Sequence, residues 1–276
     1  MSDHFRAFSF VDRIHEDETG RQIRGSYQIP DGVRSFPLSL VSESIGQLAA
    51  FSSMAAVNFA FRPVAGIAGR VEFPGTVKPG DTLELEAVLS QADDTAVAYD
   101  GVAKVNGEPV VILADCLGPM VPLDDFDDPA ALRDRYALLR GEGATPGAFA
   151  GVPDFSVRKT GGIPGETSEG NFPIPEEAPF FRDHFPRNPV FPGTLLMNLH
   201  LGFAKELVSE LVGADTVWIV SSITDVKLRS FMPPGEVLDL KASVEEHDGP
   251  SVRVVVETRR GKRLTSSARI LLSRTL

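Results

Sequence analysis

Cysteine is almost missing from this chain: of 276 residues, Cys116 is the single one. One thiol closes no internal disulfide and supplies no thiolate metal cluster, so burial has to carry the fold. Cys116 itself reads as a small buried hydrophobe. Tryptophan occurs once and tyrosine three times, against 18 phenylalanines. Basic residues are also short, 27 against 38 acidic ones, for a formal net charge of −11. Such a chain repels phosphate backbones, which excludes nucleic acid as the expected partner. The acidic excess lies in the first half, while the second half is close to balance. No apolar run reaches membrane-spanning length, and Met1-Ser2-Asp3-His4 has no signal-peptide character, so a cytoplasmic protein is expected. At 42% hydrophobic and 24% charged residues, the composition is that of a globular chain with ample core.

Chemistry concentrates in one proline-framed stretch, Phe180-Phe181-Arg182-Asp183-His184-Phe185-Pro186-Arg187-Asn188-Pro189-Val190-Phe191-Pro192-Gly193-Thr194-Leu195-Leu196-Met197-Asn198. A lone histidine sits in a stiffened loop that opens into an apolar helix. Leu196, Leu199, Phe203, Leu207 and Leu211 lie at steps of three and four, one buried stripe, with Gly213 as the expected stop. Free N–H groups at Gly193 and Thr194 face outward at the helix start. A base beside them can remove a proton while they stabilise the oxyanion that forms.

Taken in order, the chain writes one unit twice. Residues 8–14 alternate like a strand, Asp17 to Gly20 reads as a turn, and 21–29 as a second strand. A helix is expected over about 36–56, then a strand at 71–73 and a turn at Lys78-Pro79-Gly80-Asp81. Leu83, Leu85 and Ala87 alternate with acidic residues, and 96–105 with 109–117 form a hairpin about Asn106-Gly107. At an offset of 155, Phe36-Pro37 falls on Phe191-Pro192, Leu40 on Leu195, and residues 78–85 on 233–240 without a gap. Residues 252–257 and 263–271 then stand where the first hairpin stood, with Arg260-Gly261 at the turn. Tyr27-Gln28-Ile29-Pro30 pairs with Phe172-Pro173-Ile174-Pro175 at 145 instead, so about ten residues, the histidine loop among them, are missing from the first unit. Duplication predicts an α+β fold, two sheets each wrapped around a central helix and related by a pseudo-twofold axis. The expected boundaries are 1–122, a linker at 123–150, and 151–276. Within the linker, Asp128 caps a short helix over 130–140, with Pro129 at its first position and Gly141 at its end. Asp124, Asp125, Asp127 and Asp128 lack the glycine and glutamate of a calcium loop and read as solvated. Residues 141–170, rich in Gly and Pro, read as an irregular connection. His4, His15, His200 and His247 have no metal-ligand spacing.

H-F-P-x-x-P-x-F-P-G-x-L, carried by His184, Phe185, Pro186, Pro189, Phe191, Pro192, Gly193 and Leu195, resembles the active-site motif of the hot-dog-fold β-hydroxyacyl-(acyl carrier protein) dehydratases. The resemblance implies a double hot-dog that eliminates water from 3-hydroxyacyl thioesters, carried on acyl carrier protein or CoA, with no cofactor or metal. The family places a carboxylate five residues after the glycine, where this chain has Asn198. The first unit aligns with the family's F-P-G-x-L-x-x-E-x-x-x-Q through Phe36, Pro37, Leu40, Glu43 and Gln47, with Leu38 in place of the glycine. Because the family's site spans a dimer interface, the resemblance assigns His184 and Glu43 to one composite catalytic site and leaves the other abandoned. It further implies that the Val190 carbonyl orients His184, Gln47 supports Glu43, and the Gly193 and Thr194 N–H groups hold the thioester oxygen. Arg182, Arg187, Lys227 and Arg229 are candidate contacts for an acidic carrier, and double hot-dogs can assemble into homo-oligomers. Two other readings fit the same features: a hot-dog thioesterase, and a non-catalytic acyl-binding or scaffold subunit.

Overall fold

The computed structural model of the protein describes residues 4–212 and 217–274. The first unit runs β1 (Arg13–Glu18), β2 (Gln22–Gln28), α1 (Leu38–Ala56), β3 (Phe61–Pro63), β4 (Ile67–Glu72), β5 (Thr82–Ala92), β6 (Ala96–Val105) and β7 (Glu108–Pro122). A 3-10 turn, Leu123–Asp125, and α2 (Pro129–Arg140) follow. The second unit runs β8 (Arg158–Ile163), β9 (Thr167–Pro173), a 3-10 turn at Pro179–Arg182, α3 (Gly193–Val212), β10 (Trp218–Leu228), β11 (Val237–Asp248), β12 (Ser251–Arg260) and β13 (Arg263–Arg274).

Each element forms for a local reason. Leu83, Leu85, Ala87 and Leu89 of β5 are buried, and Glu84 and Glu86 between them face away, the alternation of a strand covered on one side. On α1, Leu40, Ser44, Ile45, Leu48 and Ser52 share the buried stripe. Serines are tolerated there because their hydroxyls find acceptors: Ser44 donates to the Leu40 carbonyl at 2.9 Å and Ser52 to Asp17 Oδ1 at 2.7 Å. Each fully buried Leu or Ile contributes roughly 1.5–3 kcal/mol. Asn106 and Gly107 both take positive φ, 52° and 81°, as the tight β6–β7 turn requires.

The sheet order is a palindrome, β1-β2-β5-β6-β7-β4-β10-β13-β12-β11-β9-β8. Replacing each strand by its counterpart reverses the list. At its centre β4 pairs antiparallel with β10, Val71 opposite Ile223 and Ala68 opposite Val226, so the pseudo-twofold axis passes between them. α1 and α3 pack on each other across that axis. The fold is a double hot-dog.

Three expectations need correction. Residues 8–12 are not strand; Phe8, Phe10 and Val11 are buried, but as a segment laid over α1. The span 141–170 is not irregular throughout, since β8 and β9 form a hairpin that repeats β1 and β2. All of β8 is exposed, which erased the apolar alternation. Gly25 and Gly170, 145 apart, confirm the equivalence: an added Cβ would stand 2.5 Å from the Arg13 carbonyl oxygen and 2.9 Å from that of Arg158. Asp127, finally, is buried rather than solvated, 3.5 Å from both Arg62 and His4. Asp128 does cap α2, accepting the Ala130 N–H at 2.9 Å. Gly213 lies outside the described residues.

The units differ beneath their helices. Where the first unit buries Ile23, Ile45, Ala103, Val110 and Val111, the second buries Ser168, His200, Thr258, Thr265 and Ser266. His200 Nε2 shares a 2.6 Å hydrogen bond with the Thr258 hydroxyl. Burial pushes the imidazole down to about 3. No described helix is long and apolar enough to cross a membrane.

Candidate active site

The loop before α3 presents His184. Within it the His184 and Asp183 N–H groups both donate to the Phe180 carbonyl, at 2.8 and 3.1 Å, and the Arg187 N–H donates to the Phe126 carbonyl at 3.0 Å. Phe180, Phe181 and Phe185 are buried and anchor the loop. His184 Nδ1 lies 3.0 Å from the Val190 carbonyl oxygen. A carbonyl only accepts, so Nδ1 carries the hydrogen and the Nε2 lone pair is left open.

Glu43 comes from the other unit, half-buried on α1. Its Oε2 accepts the Thr194 hydroxyl at 2.7 Å and its Oε1 accepts the Gln47 amide at 3.1 Å. Thr194 belongs to α3, so the carboxylate of one unit is held by the helix start of the other. The first intrahelical bond there runs from the Leu196 N–H to the Pro192 carbonyl, 3.1 Å. The N–H groups of Gly193 and Thr194 precede it and have no helical acceptor. Gly193 also makes room: a Cβ there would lie 2.5 Å from Leu228 Cδ1.

His184, Glu43, Gln47, Val190, Gly193 and Thr194 all line one cavity of about 740 Å³ between the units. Its walls include Phe51, Met54, Val97, Leu113 and Met197, an apolar surface suited to an acyl chain. Burial lowers the proton affinity of His184; the Glu43 charge and the Val190 carbonyl oppose this, and Arg62 adds to it. Imidazole is therefore neutral at pH 7 and able to accept a proton.

Sequence reasoning missed four groups here: the Thr194 hydroxyl, Asp183, Phe8 and Arg62. The Arg62 guanidinium lies 3.7 Å above the Phe185 ring, and burial pushes it down to about 10 against the opposing charges of Asp127 and Glu43. No periodicity marks it; it sits in a three-residue strand whose placement only the folded chain determines. Cys116 is buried as expected and lines the same cavity; burial pushes its thiol up to about 12, which removes it as a nucleophile.

Asn198 does not line the cavity. Ser39, which stands where Thr194 stands in the other helix, has a buried hydroxyl without a hydrogen-bond partner. Of the proposed carrier contacts, Arg229 reaches the cavity rim, whereas Arg182, Arg187 and Lys227 do not line it. Arg187 is bound to the Asp124 side chain and carbonyl. Arg263 joins Arg229 at the rim, beside the partly exposed Ile67, Leu117 and Phe231. Among the described residues no cluster of His, Cys, Asp and Glu could hold a metal ion.

Residues 163–268 match the ApeI-like dehydratase family. The 3-hydroxyacyl-(acyl carrier protein) dehydratase FabZ of Bacillus velezensis is 34% identical over 117 residues, 38% of this chain and 82% of that protein. The protein of the same name from Anaplasma phagocytophilum is 38% identical over 96 residues, 33% of this chain and 66% of that protein. The match thus spans just under two thirds of the Anaplasma protein's length. Among solved structures, the 12:0-ACP thioesterase from Umbellularia californica superposes with a TM-score of 0.55 at 11% identity, over 92% of this chain and 94% of its own. That likeness establishes the fold alone, one on which unlike reactions are run.

Proposed function

We propose that this chain, which belongs to the hot-dog family of 3-hydroxyacyl-(acyl carrier protein) dehydratases, removes water from 3-hydroxyacyl thioesters at one composite site. The observation that carries this reading is the convergence of Glu43 and His184, from different units, on one apolar cavity with Thr194 bonded to Glu43.

The thioester oxygen is held by the Gly193 and Thr194 N–H groups. His184 Nε2 takes a proton from C2, and that C–H pair becomes the C2=C3 bond. The C3–O bond breaks, and the departing hydroxyl takes a proton from Glu43, which reacts in its carboxylic-acid form, and leaves as water. Protonated His184 and the Glu43 carboxylate then return to their starting forms by proton exchange with solvent. Thr194 and Gln47 each occupy one acceptor site on the Glu43 oxygens and fix the carboxyl plane. Incubation with a 3-hydroxybutyryl thioester tests the reaction. Enoyl thioester should accumulate; release of free thiol without enoyl product would assign a thioesterase instead, and neither product would leave a binding subunit. In this reading residues 1–122 supply Glu43, residues 151–276 supply His184, and residues 123–150 join them.

The carrier meets the rim, where Arg229 and Arg263 have no carboxylate partner among the described residues. An acidic carrier protein would be steered there by charge. Reversing both, Arg229→Glu with Arg263→Glu, should raise KM for carrier-linked substrate while that for the CoA thioester changes little. Equal effects on the two would remove the rim from carrier docking.

A third substitution tests which unit serves which site. Asn198→Glu should create no second activity, because the first unit has no histidine loop to serve it. It should also leave Glu43→Gln as inactive as before. Rescue of that variant would mean that the carboxylate serving His184 comes from its own unit.

A further inference from the structure

A segment from the first unit ties the two halves of the site together. Asp183, beside His184, accepts three of its backbone N–H groups: Phe5 on Oδ1 at 2.6 Å, and Ala7 and Phe8 on Oδ2 at 2.7 Å each. The same segment then clasps Gln47. The Phe8 carbonyl accepts from Nε2 at 3.0 Å, and the Phe10 N–H donates to Oε1 at 2.8 Å. That amide nitrogen is the one bonded to Glu43. Between the two anchors the Phe8 ring, 2% exposed, stands edge-on to the imidazole with 5.5 Å between centroids.

We infer that Asp183 is a positioning residue, which uses the strap of residues 5–10 to hold His184 in register with Glu43 and to keep water off the imidazole. The carboxylate is an anchor, not an acid, because both its oxygens already accept N–H groups. Charge-assisted bonds of this length are the strong kind, and three of them fix a segment that secondary structure does not hold. Arg135 of α2 braces the strap, its guanidinium 5.3 Å from the Phe5 ring and donating to the Val11 carbonyl at 3.3 Å. The charged and titratable groups around His184 are Glu43 on α1, Arg62 on β3 with Asp127 and His4 beyond it, and Asp183 on its own loop. Loss of a neighbouring anion alone would make the imidazole harder to protonate. Loss of the strap hydrates the ring and makes it easier. The direction of the shift therefore separates positioning from plain charge.

The inference rests on the proposed reaction only for its kinetic arm. Full-length Asp183→Asn and Phe8→Ala proteins would be compared with wild type by NMR titration of His184 and by pH–rate profiles on a 3-hydroxybutyryl thioester. In Asp183→Asn, kcat should fall roughly 10–100-fold with little change in KM, the scale of a small misplacement of reacting groups. The His184 midpoint should rise toward about 6.5, and the acid limb of kcat/KM should rise with it. Phe8→Ala keeps the backbone bonds to Asp183 and should show the same upward shift with a smaller loss of kcat. An unchanged or lowered midpoint in Asp183→Asn, or an unchanged kcat, overturns the proposal. Should Asp183→Asn not fold, an unshifted midpoint in Phe8→Ala overturns it. A wild type without dehydration would sink the proposed reaction, and the NMR midpoints would still decide the strap.

Discussion

Replacing His184 by alanine, or Glu43 by glutamine, should each lower the dehydration rate by roughly 10²–10⁴-fold, the range of a positioned acid or base. Neither change should raise KM much. The apolar walls and the N–H groups of Gly193 and Thr194 stay in place, so the substrate still binds. Glutamine keeps the size of Glu43 and can still meet Thr194 and Gln47, so what it removes is the carboxyl group's charge and its transferable proton. The double variant should fall little below the worse single one, since two groups acting on one elimination are not additive. Enoyl absorbance in single-turnover reactions measures all three. If the two losses multiplied, the groups would act in separate steps, and the composite site would be wrong. The pH profile adds a sign: His184 must be neutral to act, and burial holds its pKa below the ordinary value. Activity should persist below pH 6.5 and fall only as pH drops through that lowered pKa.

The second large effect is on stability in acid, through a histidine with no part in the chemistry. His200 is fully buried and titrates at about 3 when folded, against an ordinary value of 6.5. Between those values the unfolded chain binds a proton that the folded chain refuses, so stability falls as pH is lowered through 6.5 toward 3. Between pH 6.5 and 4.5 this amounts to roughly 2 kcal/mol. The first unit shows how to remove the dependence, since Ile45 and Ala103 stand at the equivalent positions. His200→Ile with Thr258→Ala should flatten the acid limb by about that amount in urea unfolding at pH 7.5 and 4.5. The paired change avoids leaving the Thr258 hydroxyl buried and unbonded. An acid limb as steep as wild type would show that other groups carry it.

Several features were legible because they are local or repeat at a fixed interval. The α1 and α3 stripes, the β5 and β12 alternation and the Asn106-Gly107 turn each depend on neighbours a few residues away. The duplication is visible as an offset of 155, and the palindromic sheet order of the folded chain is its spatial counterpart. The change of offset from 145 to 155 marks the loop of about ten residues that only the second unit carries. The hairpin of β8 and β9 was not legible, because an exposed edge strand carries no burial pattern and its Gly-rich run looks like coil.

What the sequence by itself determined was the duplicated α+β unit and its two helices, which follow from periodicity and repetition along the chain. The hot-dog identity and the pairing of a histidine loop in one unit with a carboxylate in the other are what the motif's resemblance to the dehydratases implies. Tertiary structure alone decided what closes around that pair. The Thr194 hydroxyl reaches Glu43, Asp183 gathers N–H groups from a segment some 175 residues away, and Arg62 is drawn in beside Phe185. None of these has a spacing rule. Each is a hydrogen bond or charge contact between distant segments, and it exists only because the sheets have closed on their helices and left those groups no water to bond instead.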